Sequence, residues 1–290
     1  MCPGEPAEVT PRLLREWPLP AAGSSKYQRG RVLVIGGAVG SAGAVQLAGL
    51  AALRVGAGHL SLAVAEPAAV AVAVATPEAG VTGLTVDEAG SVLPNGLRRL
   101  EESLGNADAL VLGPGLNSPE LTREVVARVL SMTGPYVHLV IDAFAIGALA
   151  DLPPLSDSLA ARIVLTPNDG EAELLLQRQL DDAEIIPDVV EIATRYRSVV
   201  ACRDVIAHPD GRRWRVSVGH SGLATSGSGD VLAGALGGLL ARGADPAQAA
   251  CWAKYLHAAA GERLAARIGK IGFLAREILD ELPQVLNELS

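Results

Sequence analysis

Apolar positions along this chain follow two periods, and the change from one to the other marks out its elements. Leu232, Ala235, Leu236, Leu239 and Leu240 fall at i, i+3, i+4, i+7 and i+8, the stripe of a helix with a buried face. Short, mainly apolar runs at 31–35, 59–65, 107–112, 137–141 and 163–165 read instead as buried strands. Further helices are predicted over 43–55, 119–130, 170–176, 246–268 and 274–289. Residues 199–207 and 214–218 read as two antiparallel strands around the turn Pro209-Asp210-Gly211. Between 66 and 100 the pattern gives an Ala/Val-rich helix and then no assignable element. Strand, Gly-rich turn, helix and strand between 31 and 65 make a βαβ unit, so the chain is predicted to be α/β with a mostly parallel central sheet.

Several turns share one placement. Gly36-Gly37, Gly113-Pro114-Gly115, Asp142 and Thr166-Pro167-Asn168 each follow a predicted strand directly. Strand C-termini of an open parallel sheet line one edge, where ligands bind. Facing that edge, Gly227-Ser228-Gly229-Asp230 opens the helix carrying the leucine stripe. Free N–H groups and the helix dipole at such a start suit a phosphate, although a Ser or Asp there also suits plain helix capping. A glycine-lined anion cradle beside one carboxylate fits phosphoryl transfer to a hydroxyl, with Asp230 as the proton acceptor and the amides of Gly227 to Gly229 holding the phosphoryl group. Mg²⁺ would bridge the nucleotide oxygens with few direct protein ligands. No GxxxxGK[ST] loop, dinucleotide Gly-x-Gly fingerprint, Gly-x-Ser-x-Gly elbow or Cys/His ligand cluster is present. His257, on an Ala-rich helix, reads as packed or at a subunit contact.

Composition narrows the setting. The 290 residues are rich in aliphatics, Ala and Gly, poor in aromatics, and carry a net charge of −8 with no long basic cluster, so nucleic acid is not an expected partner. Cys2, Cys202 and Cys251 share no metal or redox spacing and read as free thiols in a reducing compartment. Apolar runs end well short of membrane-spanning length and no signal peptide is evident, so a soluble cytoplasmic protein is expected. The proline-rich residues 1–25 form an arm with a short turn of helix near 11–17, and 26–290 are expected to be a single domain.

The stretches VLVIGGAVGSAGAVQLAGLAALRVGAGHLSLA (32–63), ADALVLGPGL (107–116), VIDAFAI (140–146), TPNDGEAELL (166–175) and HSGLATSGSGDVLAG (220–234) together resemble the ADP-dependent NAD(P)H-hydrate dehydratases of the ribokinase-like superfamily. The resemblance implies a three-layer α/β/α ribokinase-like fold, often tetrameric, that repairs hydrated NADH or NADPH. ADP, or ATP, with Mg²⁺ phosphorylates the ring hydroxyl and phosphate then leaves. Position by position it implies that Ala44, Gly115, Asn168 and Asp230 meet the hydrated dinucleotide and that Gly227, Ser228 and Gly229 meet the nucleotide, with Cys202 and Arg203 at its adenylate part. Three positions depart from the family pattern: Asn168 replaces a histidine, Phe144 replaces an aspartate, and 202–204 lack a Lys-Gly. A small-molecule kinase of the same superfamily and a non-catalytic nucleotide-binding homologue are the alternatives the residues leave open.

Overall fold

The computed structural model describes residues 5–181 and 183–289. Its strands are β1 (Ala7–Glu8), β2 (Arg31–Ile35), β3 (His59–Ala65), β4 (Ala79–Leu84), β5 (Ala109–Leu112), β6 (His138–Ile141), β7 (Ile163–Leu165), β8 (Val199–Cys202), β9 (Val205–Ala207) and β10 (Arg213–Arg215). The helices are α1 (Pro11–Glu16), α2 (Ala42–Arg54), α3 (Glu66–Ala75), α4 (Glu101–Asn106), α5 (Pro119–Met132), α6 (Phe144–Ala150), α7 (Asp157–Ala160), α8 (Asp169–Leu176), α9 (Ile185–Tyr196), α10 (Ser228–Ala241), α11 (Pro246–Arg267) and α12 (Ala275–Leu289). One sheet runs in the order β1-β10-β9-β8-β7-β6-β5-β2-β3-β4. From β8 to β4 every neighbouring pair is parallel, while β9 is antiparallel to both of its neighbours.

Alternation along the strands divides the core in two. Val32, Val34, Val111, Val140 and Val164 pack with α2, α10, α11 and α12, whereas Leu33, Ile35, Leu112, Ile141 and Leu165 pack with α5, α6, α8 and α9. The result is the α/β/α layering expected. Among the described residues no helix is long and apolar enough to cross a membrane. Cys202 and Cys251 are free and buried, and Cys2 lies outside the described residues.

Three elements differ from the sequence reading. The apolar run 199–207 is two strands, because Arg203 adopts φ 49° and Arg203-Asp204 form the two-residue loop of a hairpin in which Cys202 pairs with Val205. The loop has no glycine, asparagine or proline, and Asp204 alone does not break the pattern, so the run reads as continuous. The N-terminal arm contributes β1, which pairs with β10 in parallel, and Trp17 stacks on Trp214 at 5.9 Å. The unassigned stretch after α3 supplies the edge strand β4.

The central helix α10 is buried from Val231 through Ala241, on all sides rather than along one stripe. Its glycines allow that depth. A Cβ at Gly234 would come 1.9 Å from the Ala48 carbonyl oxygen of α2, one at Gly237 2.4 Å from Val111 Cγ2, and one at Gly238 2.6 Å from the Ala52 carbonyl oxygen. Helix propensity alone favours Ala over Gly by about 1 kcal/mol, but a backbone contact this close cannot relax by rotating a side chain. Gly234→Ala is therefore expected to lower unfolding free energy by about 2 kcal/mol net in urea titration. A variant as stable as the parent would show that α2 and α10 are not held at this distance.

Candidate active site

Because β2, β5, β6, β7 and β8 run parallel, their C-terminal turns share one rim. The first two turns are laced into one floor. Gly37 N–H donates to the Pro114 carbonyl (2.8 Å), Ala38 N–H donates to the Gly115 carbonyl (2.8 Å), and Ser41 Oγ donates to the same Gly115 oxygen (2.6 Å). Gly115 has φ 72°, and a Cβ there would meet the Ser41 carbonyl oxygen at 2.4 Å and Ala44 Cβ at 3.1 Å. Ala44 and Gly115, far apart in sequence, are thus neighbours, and each is partly open to solvent.

Opposite this floor lies the mouth of α10. Gly227 is its N-cap residue at φ 89°, a conformation that excludes ordinary side chains, and no side chain caps the helix. The capping alternative is therefore not what the residues do here. Gly229 is exposed, with nothing within 4 Å of the position of a Cβ; the Ser228 N–H donates to the Thr225 carbonyl (3.2 Å), while those of Gly229 and Asp230 donate to no described residue. Ser228 is buried, with Oγ 2.9 Å from His257 Nε2, and the same nitrogen lies 3.0 Å from the Ser228 carbonyl oxygen. Burial, with the nearby charge of Lys254 adding, pushes the His257 imidazole down to about 3, so it is neutral and acts as a post under the helix start.

The carboxylates at this mouth are tuned differently. Asp230 is half-buried and accepts no hydrogen bond from any described residue, and burial raises its carboxyl to about 6. Asp142, at the end of β6, is buried and accepts a 2.6 Å hydrogen bond from Thr166 Oγ1. Burial drives Asp142 up to about 8; the negative charges of Glu171 and Asp230 add to the rise and the Thr166 hydrogen bond opposes it. Asp142 is thus mainly protonated at neutral pH, beside a free, ionised Asp230. The next residue, Ala143, is strained at φ 53°, and Phe144 opens α6 with 46% of its surface exposed.

The remaining predicted residues sit apart. Asn168 caps α8: Glu171 N–H donates to Asn168 Oδ1 (3.0 Å), and Asn168 N–H donates to Glu171 Oε2 (2.9 Å). Its carbonyl oxygen is therefore already taken, although the residue is exposed at the rim. Cys202 is fully buried and burial raises its thiol to about 11, so the side chain is not available to a ligand. Arg203 turns its guanidinium onto Asp169 in a two-pronged ion pair of 2.7 and 2.8 Å, which holds the Asp169 carboxyl below its usual range. Sequence reasoning missed Thr166 as the partner of Asp142 and His257 as the support of Ser228.

The family profile described as NAD(P)H-hydrate dehydratase (Carb_kinase) matches residues 32–284. The chain belongs to this family. It is 44% identical over 286 residues to the ADP-dependent (S)-NAD(P)H-hydrate dehydratase of Xanthomonas campestris pv. campestris, covering 97% of this chain and 96% of that one. It is 38% identical over 275 residues to the bifunctional NAD(P)H-hydrate repair enzyme Nnr of Moorella thermoacetica, covering 92% of this chain but 51% of the relative. The chain thus spans about half the length of that bifunctional protein. The ADP/ATP-dependent NAD(P)H-hydrate dehydratase of Bacillus subtilis, co-crystallised with ATP/Mg²⁺, superimposes with a TM-score of 0.83 at 26% identity, covering 99% of this chain and 100% of that one. The ribokinase-like fold expected from the sequence is thereby shown.

The Asp142 environment yields a stability test. Its carboxyl ionises near 3.8 in an unfolded chain and near 8 in the fold, so the folded state keeps a proton that the unfolded state releases. Stability is therefore lost progressively as pH rises between those two values. Asp142→Asn keeps an acceptor for Thr166 and removes the ionisation. It is expected to stabilise the protein at mildly alkaline pH relative to acid pH, by up to about 5 kcal/mol. Parallel pH–stability curves for parent and variant would refute the assignment.

Proposed function

We propose that this chain is a nucleotide-dependent NAD(P)H-hydrate dehydratase using ADP, with ATP as the alternative donor. The observation that carries the reading is the mouth of α10, which no side chain caps and where the unpartnered amides of Gly229 and Asp230 adjoin a carboxylate that accepts no hydrogen bond from any described residue. In this reading the turn from Gly227 to Gly229, with the Gly229 amide as its free donor because Ser228 N–H is held by the Thr225 carbonyl, cradles the transferring phosphoryl group in a pre-oriented setting. Asp230 accepts the proton of the hydroxyl on the hydrated ring as its oxygen bonds to the β-phosphorus, and the bond from that phosphorus to AMP breaks. The phosphorylated carbon–oxygen bond then breaks as the ring gives up a proton, which restores the double bond and releases phosphate. Ala44 and Gly115 line the dinucleotide, Asn168 offers its amide nitrogen at the rim, and Arg203 flanks the adenylate part.

Mg²⁺ fits this site only as an ion carried on the nucleotide. Among the described residues no three His, Cys, Asp or Glu side chains converge on a metal position. The rim therefore leaves most ligands to phosphate oxygens and water, and the ion would neutralise charge on the phosphates. The reading includes a cytoplasmic homotetramer, with 26–290 as one catalytic unit and 1–25 as an arm. Exposed apolar residues on α3, Val70 at 76% and Val74 at 78%, supply a surface that such an assembly would cover.

The test is the recovery of NADH absorbance from hydrated NADH with ADP and Mg²⁺. Asp230→Asn is expected to lower kcat at least about a hundredfold while ADP binding persists. In the parent enzyme kcat/KM should rise with pH and level off above about 6, as Asp230 loses its proton. Full activity in the variant, or no recovery of NADH by the folded parent, would refute the reading; phosphate retained on the product would indicate a kinase instead.

A further inference from the structure

Lys254 lies on α11, which packs across β7, β8 and β9. It is one helical turn from Cys251 on one side and from His257 on the other; Cys251 is buried and His257 supports Ser228 at the mouth of α10. Lys254 therefore shares the face of α11 that looks toward the sheet and the cradle. It is only partly exposed, and among the described residues its ammonium has no hydrogen bond or ion pair. Nor is it among the sealed polar atoms without a partner, so it reaches solvent-accessible space.

The carboxylates whose charge it feels are Asp204 and Asp142. Asp204 is already paired with Arg215 at 2.9 Å, and Asp142 is bonded to Thr166. Arg203, in the same hairpin as Asp204, has its guanidinium fork on Asp169. A half-buried ammonium without a partner is costly and makes no sense as a structural ion pair. It is what a site for an incoming anion requires.

We propose that Lys254 is the cation that receives the nucleotide's phosphate groups, reaching up from α11 beneath the mouth of α10. The inference rests on the nucleotide-dependent reading above and adds a specific residue to it. Amides orient the phosphoryl oxygens but carry no net charge, and Asp230 next to them is anionic when active. A lysine from below offsets that charge and holds the polyphosphate against the cradle. Lysine is a compact charge on a flexible stem, suited to a narrow approach that a guanidinium fork would fill.

The experiment is calorimetric titration of ADP, and separately of inorganic pyrophosphate, into the parent chain, K254M and K254R, with melting curves of each protein alone. Charge-assisted contacts of this kind imply that K254M weakens ADP binding about tenfold to a hundredfold. Its KM for the hydrated dinucleotide should stay within about twofold and its ligand-free melting point should not fall, since no native pair is lost. K254R should recover part of the pyrophosphate affinity. Parent-like ADP binding by K254M overturns the role of Lys254 and leaves the proposed function standing. Equal losses toward ADP and the hydrate, or a lowered ligand-free melting point that K254R restores, identify a structural lysine and also overturn it. Failure of the parent itself to bind ADP removes both.

Discussion

The depth to which α10 is sunk into the molecule governs the rest of the structure. Three of its residues have no Cβ where α2 and β5 come closest, and so its first turn is delivered to the sheet's rim at a fixed height. From that height follow the left-handed Gly227, the open Gly229 amide and the half-buried Asp230. A helix one methyl group further out would lift its mouth away from the Gly36 and Gly115 turns. Packing and chemistry are thus the same constraint read at two ends of one helix.

Electrostatics at the rim is arranged by desolvation more than by pairing. Asp142 stays protonated because it is buried, His257 stays neutral for the same reason, and Asp230 is left as the ionised carboxylate with nothing bound to it. Two groups that would otherwise compete for phosphate or proton are silenced by their surroundings. The pattern of carboxyls in like surroundings driven to different protonation states is how a single site separates proton acceptor from bystander.

Much of this was legible in the sequence because it depends on local rules. Strands at 31–35, 59–65 and 163–165 appear at the predicted residues, and the Gly-rich turns fall on one edge because parallel topology leaves them no other place. The helix start at Gly227 was legible as well, since only glycine occupies its backbone conformation without strain. What was not legible depends on packing between distant elements. Cys202 looks accessible at a strand end, yet its side chain turns to the buried face. Arg203 looks like a free cation until Asp169, on another helix, occupies its fork. The hairpin at 203–204 has no glycine, proline or asparagine to announce it. Lys254 and His257 matter only because α11 runs beneath α10, a relation that no periodicity records.

The N-terminal arm has a consequence for the order in which the molecule assembles. Its Trp17 carbonyl accepts hydrogen bonds from Gln248 and Trp252, the first of them 231 positions away along the chain, and its short strand lies against β10. A growing polypeptide therefore makes the arm long before α11 and can dock it only once the first turns of α11 exist. Contacts of such long sequence separation form late and slowly. Until then β10 remains an unprotected sheet margin, the kind of surface on which nascent chains join one another.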